Sequence, residues 1–110
     1  MTGTEYQMKA MRTASSLDKD ALVLNGVMGL NGEAGECIDI VKKHLFQGHE
    51  LDTDKLLDEL SDVLWYAAIL AEGIGTTLDD VMQHNVDKLT RRYPEGFDAE
   101  RSIHREEVME

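Results

Sequence analysis

The 110-residue chain contains one proline, one cysteine and only 5% aromatic residues. A single cysteine, Cys37, excludes an intramolecular disulfide and is typical of a protein of the reducing cytoplasm. No apolar run approaches the roughly 20 residues that span a bilayer, and the polar N-terminus lacks the apolar core of a signal peptide. These absences predict a soluble, cytoplasmic protein that does not contact a membrane.

Positive charge is also scarce, since 22 acidic residues face 11 basic ones and the net charge is −11. This balance argues against a nucleic-acid polymer or an anionic membrane as a partner, because both repel an acidic surface. A small polyanionic ligand would need a cation to approach such a protein.

The scarcity of proline and of strand-like alternation indicates an all-α fold, a helical bundle of about four main helices joined by short turns. Candidate caps and glycine stops set the boundaries, and the predicted helices run over 4–14, 18–46, 52–73 and 77–93. The second is long enough to bend or break near Gly26 or Gly29. We expect a single domain, residues 1–110, with a helical core at about 4–93 and a polar tail over 94–110.

Two carboxylate pairs stand out within segments that otherwise read as apolar helix faces. Glu33 and Glu36 lie in LNGEAGECI, and Glu59 and Asp62 lie in LDELSDVLWY. Residues three apart share one face of a helix, so the two members of each pair point the same way. The apolar spacing places both pairs at or next to the inward faces, where we expect the four carboxylates to meet.

Solvated acids are the ordinary interpretation of such pairs, but no local ion-pair partner supports it here. The positions four residues downstream hold Cys37, Ile40, Val63 and Tyr66 rather than lysine or arginine. Buried unpaired carboxylates must become protonated, meet basic groups or bind a metal ion. Oxygen ligands without His or Cys favour Mg²⁺, with Mn²⁺ next. A ferritin-like di-iron site loses support because the chain contains no Glu-x-x-His.

A polar stripe on the fourth predicted helix supplies candidate phosphate ligands. Asn85, Lys88 and Arg92 fall at spacings that share one helix face. Taken alone, Lys88 and Arg92 are better interpreted as a solvated basic helix end, which the helix dipole favours. Together with a carboxylate cluster, they fit a metal-bound phosphate chain. Tyr66 could stack on a nucleobase, although core packing is the more frequent role of such a residue.

The order of these motifs resembles that of the MazG-like nucleotide pyrophosphohydrolases. The matching stretches are Glu33-x-x-Glu36, a 22-residue gap, Glu59-x-x-Asp62, Asn85-x-x-Lys88 and Arg91-Arg92-Tyr93-Pro94. The resemblance implies the all-α NTP pyrophosphatase fold. It also implies hydrolysis of a nucleoside triphosphate between the α and β phosphates, which gives a monophosphate and pyrophosphate, and cleaning of the nucleotide pool is one role that fits.

The same resemblance implies roles for individual residues. The four carboxylates would be metal ligands and catalytic residues around Mg²⁺, with Mn²⁺ as a substitute, and one glutamate would also orient the attacking water. Lys88 and Arg92 would bind phosphate oxygens, and Asn85 would act at the metal or the substrate. Members of this superfamily work as dimers or tetramers, so we expect a homodimer or homotetramer.

Two alternatives remain open at this point. A phosphoribosyl-ATP pyrophosphohydrolase uses similar carboxylate helices on a different substrate, and turnover of that compound without activity on simple triphosphates would favour it. A non-catalytic acidic helical module would instead bind a nucleotide or a partner protein through the same face. The preferred base is not indicated by the sequence.

Overall fold

The computed structural model describes residues 1–104, and that part of the chain is helical without a β-strand. The helices are α1 (Gly3–Ala10), α2 (Lys19–Phe46), α3 (Thr53–Gly73), α4 (Leu78–Arg92) and α5 (Ala99–Ile103), and a 3₁₀ turn, Met11–Thr13, follows α1. The predicted all-α fold is confirmed. The end of the predicted tail, 105–110, lies outside the described residues. Within them, no helix combines the length and apolar character that crossing a membrane requires.

The chain divides into two compact units, residues 1–78 and 79–110. The first unit contains α1, α2 and α3 together with Leu78, the first residue of α4. The second contains the rest of α4 and the short helix α5, which the sequence pattern did not predict.

Side-chain caps begin the helices of the first unit at residues that the sequence marks. The Asp18 carboxylate accepts a hydrogen bond from the Ala21 amide at 2.9 Å, and Asp52 accepts one from the Lys55 amide at 3.0 Å. Each bond satisfies one of the amide groups that the first turn of a helix leaves without a partner. Local chemistry therefore fixes where α2 and α3 start.

Glycines bring the backbones of α2 and α3 into contact. A Cβ atom on Gly26 would lie 2.8 Å from the Cβ atom of Leu70 and 3.1 Å from its Cα atom. A Cβ atom on Gly73 would lie 2.8 Å from Cγ2 of Val23. The pairing of 23 with 73 and of 26 with 70 makes the two helices antiparallel. α2 is one continuous helix of 28 residues, so of the bend or break that its length allowed, the break does not occur. Glycine in this helix permits close packing instead of interrupting it.

The core of the first unit lies where α1 and the following 3₁₀ turn pack against α3. Its buried side chains form two clusters: Ala10, Ala68, Ala71 and Leu78, and Ala14, Leu22 and Ile69. Trp65 packs against both clusters, and its Nε1 donates hydrogen bonds to the Ala10 carbonyl at 3.2 Å and to Thr13 Oγ1 at 3.1 Å. This indole fastens the end of α1 to the middle of α3.

A buried glutamine in the middle of α1 connects this helix to the turn after α3. Gln7 is only 4% exposed. Its Nε2 donates to Glu72 Oε1 at 3.1 Å and to the Thr76 carbonyl at 3.0 Å, and its Oε1 accepts from the Leu78 amide at 2.7 Å. Because a buried amide requires hydrogen-bond partners, Gln7 specifies the path of this turn.

Candidate active site

Three carboxylates meet on the surface between α2 and α3. Glu33 comes from α2, and Glu59 and Asp62 come from successive turns of α3. Their oxygens all lie within 4.8 Å of one another. Glu33 and Glu59 are half-buried, whereas Asp62 is exposed. The glycine contacts that draw the two helices together also bring these acids together.

The cluster is electrostatically strained. A side-chain hydrogen bond with Glu33 raises the pKa of Glu59, and partial desolvation and the negative charges of Glu33 and Asp58 raise it further. The positive charge of Lys55 acts in the opposite direction. Two carboxyl groups can share a hydrogen bond only if one of them carries a proton. The arrangement therefore favours uptake of a positive charge, either a proton or a cation.

A hard divalent cation fits the donor set of this cluster. The donors are carboxylate oxygens from two helices, without nitrogen or sulfur among them. Mg²⁺ and Mn²⁺ prefer such ligands and complete their coordination with water or substrate oxygens. Asp62, the exposed member, leaves one side of the cluster open to solvent. Glu33, Glu59 and Asp62 are thus the residues that would hold the cation.

Two other predicted site residues of the first unit lie outside this group. Glu36 is exposed on α2 and is not part of the group of three carboxylates, so its role as a ligand stays a prediction. Tyr66 is half-buried, and its ring lies so close to Gly29 that a Cβ atom there would fall 2.1 Å from ring carbons. Tyr66 also contacts the Trp65 ring edge-on, with centroids 5.1 Å apart. These contacts indicate packing between helices for Tyr66.

The predicted phosphate ligands belong to the second unit. Asn85, Lys88 and Arg92 all lie on α4, with Arg92 as its last residue. Asn85 is exposed, and Lys88 and Arg92 are half-buried. The helical spacing that predicted a shared face is therefore present, and the phosphate-binding role stays a prediction.

One residue near the cluster was missed by the sequence reasoning. Tyr6 on α1 packs against the buried alanines of the first core cluster. Burial raises the pKa of its hydroxyl, and the negative charge of Asp62 raises it further. The Tyr6 hydroxyl therefore lies within electrostatic reach of the carboxylates. No spacing rule links residues 6 and 62, because their proximity arises from tertiary packing alone.

The protein is all-helical over residues 1–104, and two antiparallel helices bring their acidic side chains together. It therefore belongs to the class of helical proteins with a candidate cation site between paired helices. The family model of the MazG nucleotide pyrophosphohydrolase domain matches residues 24–97, and the chain belongs to this family. The matched segment includes all of the residues that the sequence predicted for the site. The resemblance inferred from the motifs is thereby confirmed.

Two similar proteins are known from a phage and from a bacterium. The chain is 44% identical over 73 residues to the Gene 37 protein of Mycobacterium phage L5. This match covers 63% of the present chain and 64% of the phage protein. The chain is also 44% identical over 39 residues to the uncharacterized protein YvdC of Bacillus subtilis (strain 168). This second match covers 36% of the present chain and 37% of YvdC. The matches thus span less than two thirds of either relative. No solved structure gives a significant match.

Proposed function

We propose that the protein is a Mg²⁺-dependent nucleoside triphosphate pyrophosphohydrolase. It would cleave (d)NTPs between the α and β phosphates and release a nucleoside monophosphate and pyrophosphate. The observation that carries the proposal is the meeting of Glu33, Glu59 and Asp62, with oxygens within 4.8 Å of one another, in a chain of the MazG family. The proposed substrate is a free nucleotide and the proposed location is the cytoplasm.

The chemistry of anhydride hydrolysis suits such a site. Phosphoryl transfer depends on charge neutralisation and on a well-placed water more than on a protein nucleophile. A divalent cation held by the three carboxylates would supply that neutralisation. One glutamate of the two motifs would accept a proton from the attacking water as the anhydride P–O bond breaks and pyrophosphate leaves. Lys88 and Arg92 are proposed to bind phosphate oxygens, and Asn85 to assist at the metal or the substrate.

The direct test is to incubate the protein with a panel of (d)NTPs and Mg²⁺ and to assay pyrophosphate separately from orthophosphate. We expect pyrophosphate and the monophosphate in equal amounts, and activity that chelation of the metal abolishes. Release of orthophosphate, or no turnover of any nucleotide, would overturn the proposal.

Substitutions in the cluster make the test specific. Asp62→Asn should lower kcat/KM by at least about 100-fold, because it removes a charged ligand at the reacting centre. Asp54→Asn is the matched control, since Asp54 is an exposed acid of the same helix that lies outside the group of three carboxylates. It should retain most of the activity. Equal losses in the two variants would argue that general charge, and not this cluster, supports turnover.

We also propose that the protein forms a homodimer or a larger homo-oligomer through the apolar surface of α2 and α3. The surface comprises Ile38, Val41, Leu45, Phe46, Leu57, Leu60 and Leu64, all of them exposed large apolar residues. Phe46 is 80% exposed, and a shallow cavity of 470 Å³ runs along the α2 part of the surface. A concentration of exposed apolar side chains of this kind usually marks an interface. A second copy would cover it with an equally apolar surface.

Sedimentation or light scattering at micromolar concentration tests this second proposal. Wild-type protein should have at least twice the mass of one chain, and the double variant Ile38→Glu with Leu45→Glu should have the mass of one chain. Lys19→Glu, which adds negative charge at the other end of α2, outside this surface, is the control and should keep the wild-type mass. A monomeric wild type would contradict the proposal.

A further inference from the structure

The C-terminal end of α4 is held by an arginine from beyond the matched family segment. Arg101, on α5, donates from Nε to the Arg92 carbonyl at 2.5 Å and from Nη2 to the Arg91 carbonyl at 3.3 Å. These carbonyls belong to the last turn of α4, whose carbonyl groups have no amide partners within the helix. Arg101 therefore caps α4 with a charged side chain.

The position of Arg101 is itself fixed by local structure. Asp98 accepts hydrogen bonds from the Glu100 amide at 2.8 Å and from the Arg101 amide at 3.4 Å, and so begins α5. Before it, Gly96 adopts a left-handed φ of +90° that turns the chain back toward α4. The rings of Tyr93 and Phe97 contact each other in this turn, tilted by 43° with centroids 5.3 Å apart. The segment 93–101 thus folds so that the Arg101 guanidinium contacts the C-terminal end of α4.

The electrostatics of this end explain why a guanidinium is useful there. The C-terminus of a helix carries a partial negative charge, which repels a phosphate group. Yet Arg92, a proposed phosphate ligand, is the last residue of α4. The Arg101 guanidinium satisfies two of the carbonyls that create the negative potential and adds a full positive charge beside them.

We propose that Arg101 is a positioning residue for phosphate binding by Arg92. It holds the backbone from which the Arg92 side chain extends, and it offsets the helix-end charge that would oppose the substrate. This inference rests on the proposed function and deepens it, because it names a residue outside the family match that prepares the site for a highly charged ligand.

The kinetic test compares three substitutions. Arg101→Ala should raise KM for a nucleoside triphosphate about tenfold and change kcat by less than about threefold, a scale typical of charged hydrogen bonds and helix-end charges. Arg101→Lys should restore most of the affinity, and Arg101→Gln, which can donate without a charge, should not. In an Arg92→Ala background, Arg101→Ala should raise KM by a smaller factor than in the wild type, because only the helix-end charge is then affected. Arg12→Ala, an exposed arginine of the first unit, is the control and should leave KM unchanged.

A binding test separates this inference from the proposed function. Calorimetric titration with inorganic tripolyphosphate and Mg²⁺ measures affinity without turnover. Weaker binding by Arg101→Ala, reversed by lysine, supports the inference even if the wild type releases no pyrophosphate, an outcome that would overturn the proposed function alone. Wild-type affinity and KM in Arg101→Ala, restoration by glutamine as good as by lysine, or no polyphosphate binding by the wild type would overturn the inference.

Discussion

Glu33 on α2 and Glu59 on α3 place carboxylate oxygens within 4.8 Å of each other across the interface of the two helices. Acidic side chains that point into solvent avoid such contacts, since like charges at short range repel. The backbone contact between α2 and α3 imposes the approach, and a proton or a cation relieves the repulsion. The free energy of folding should therefore depend on both pH and divalent metal.

The first prediction concerns pH in the absence of metal. Because the folded-state pKa of Glu59 is raised, its protonated form favours the folded state, and that stabilisation is lost as pH rises through the raised pKa. We therefore compare the free energy of unfolding of the wild type with that of Glu59→Gln. The wild-type value should fall relative to that of the variant as pH rises from below 4.5, the ordinary pKa, through the raised pKa of Glu59. Urea unfolding of both proteins with chelator across this range measures the difference. A difference that does not change with pH would contradict the prediction, and Glu50→Gln, a distant exposed substitution, serves as control.

The second prediction concerns the metal. A ligand that binds only the folded state stabilises it by about 2.7 kcal/mol at a concentration 100 times its Kd. Mg²⁺ or Mn²⁺ should therefore raise the Tm of the wild type, and Asp62→Asn or Glu33→Gln should reduce the increase. The same salt concentration as NaCl controls for screening. If all three proteins gain equally, the cation does not bind at this cluster.

The third prediction concerns the glycine contact. Gly26→Ala places a Cβ atom 2.8 Å from the Cβ atom of Leu70, so the helices must separate, at a cost of about 1–3 kcal/mol. Gly32→Ala lies on the same helix with nothing within 4 Å of the added carbon, and should stabilise it by up to about 1 kcal/mol. Thermal or urea unfolding distinguishes them. Gly26→Ala should also weaken metal binding, because Glu33 moves away from α3.

The fourth prediction concerns Gln7. Gln7→Leu fills the buried position with an apolar side chain of similar size but leaves the Leu78 amide and the Thr76 carbonyl without their partner, at about 1–3 kcal/mol for each unsatisfied group. Gln83→Leu removes an exposed hydrogen bond to Asp87 and should cost only about 0.2–0.5 kcal/mol. Equal urea midpoints for the two variants would show that the buried bonds do not hold the turn.

Helix boundaries could be predicted from the sequence because the signals that set them are local. Asp18 and Asp52 cap α2 and α3 within three residues of themselves. The short helix α5 was not predicted, since five residues carry too little periodicity. Its Arg101 acts on carbonyls nine and ten residues away, a contact that no pattern of side chains indicates.

The candidate site was predicted in composition more closely than in geometry. Spacing of three residues places Glu33 and Glu36 about 60° apart around the helix, which is close enough to share a face and far enough to differ in exposure. Glu33 is half-buried against α3, and Glu36 is exposed. Likewise, Tyr66 shares a face with Asp62, but only the packing of the two helices shows that its ring covers Gly29. Rotation about a helix axis is set by the neighbouring helix and cannot be obtained from one segment alone.

The glycine contact between α2 and α3 also bears on how freely the chain can vary. The carboxylates are placed by the close packing of α2 and α3 at Gly26, Gly29 and Gly73, all of which lie outside the turn over residues 47–52. Lengthening a flexible connection costs little, about 0.6 kcal/mol for each doubling. Extra residues, a purification tag or a fluorescent reporter inserted beside Gly48 would leave the acidic cluster in place. The tip of this hairpin thus accepts added residues without moving the acidic cluster, and an insertion there would test the neighbouring Phe46 surface separately from the cluster.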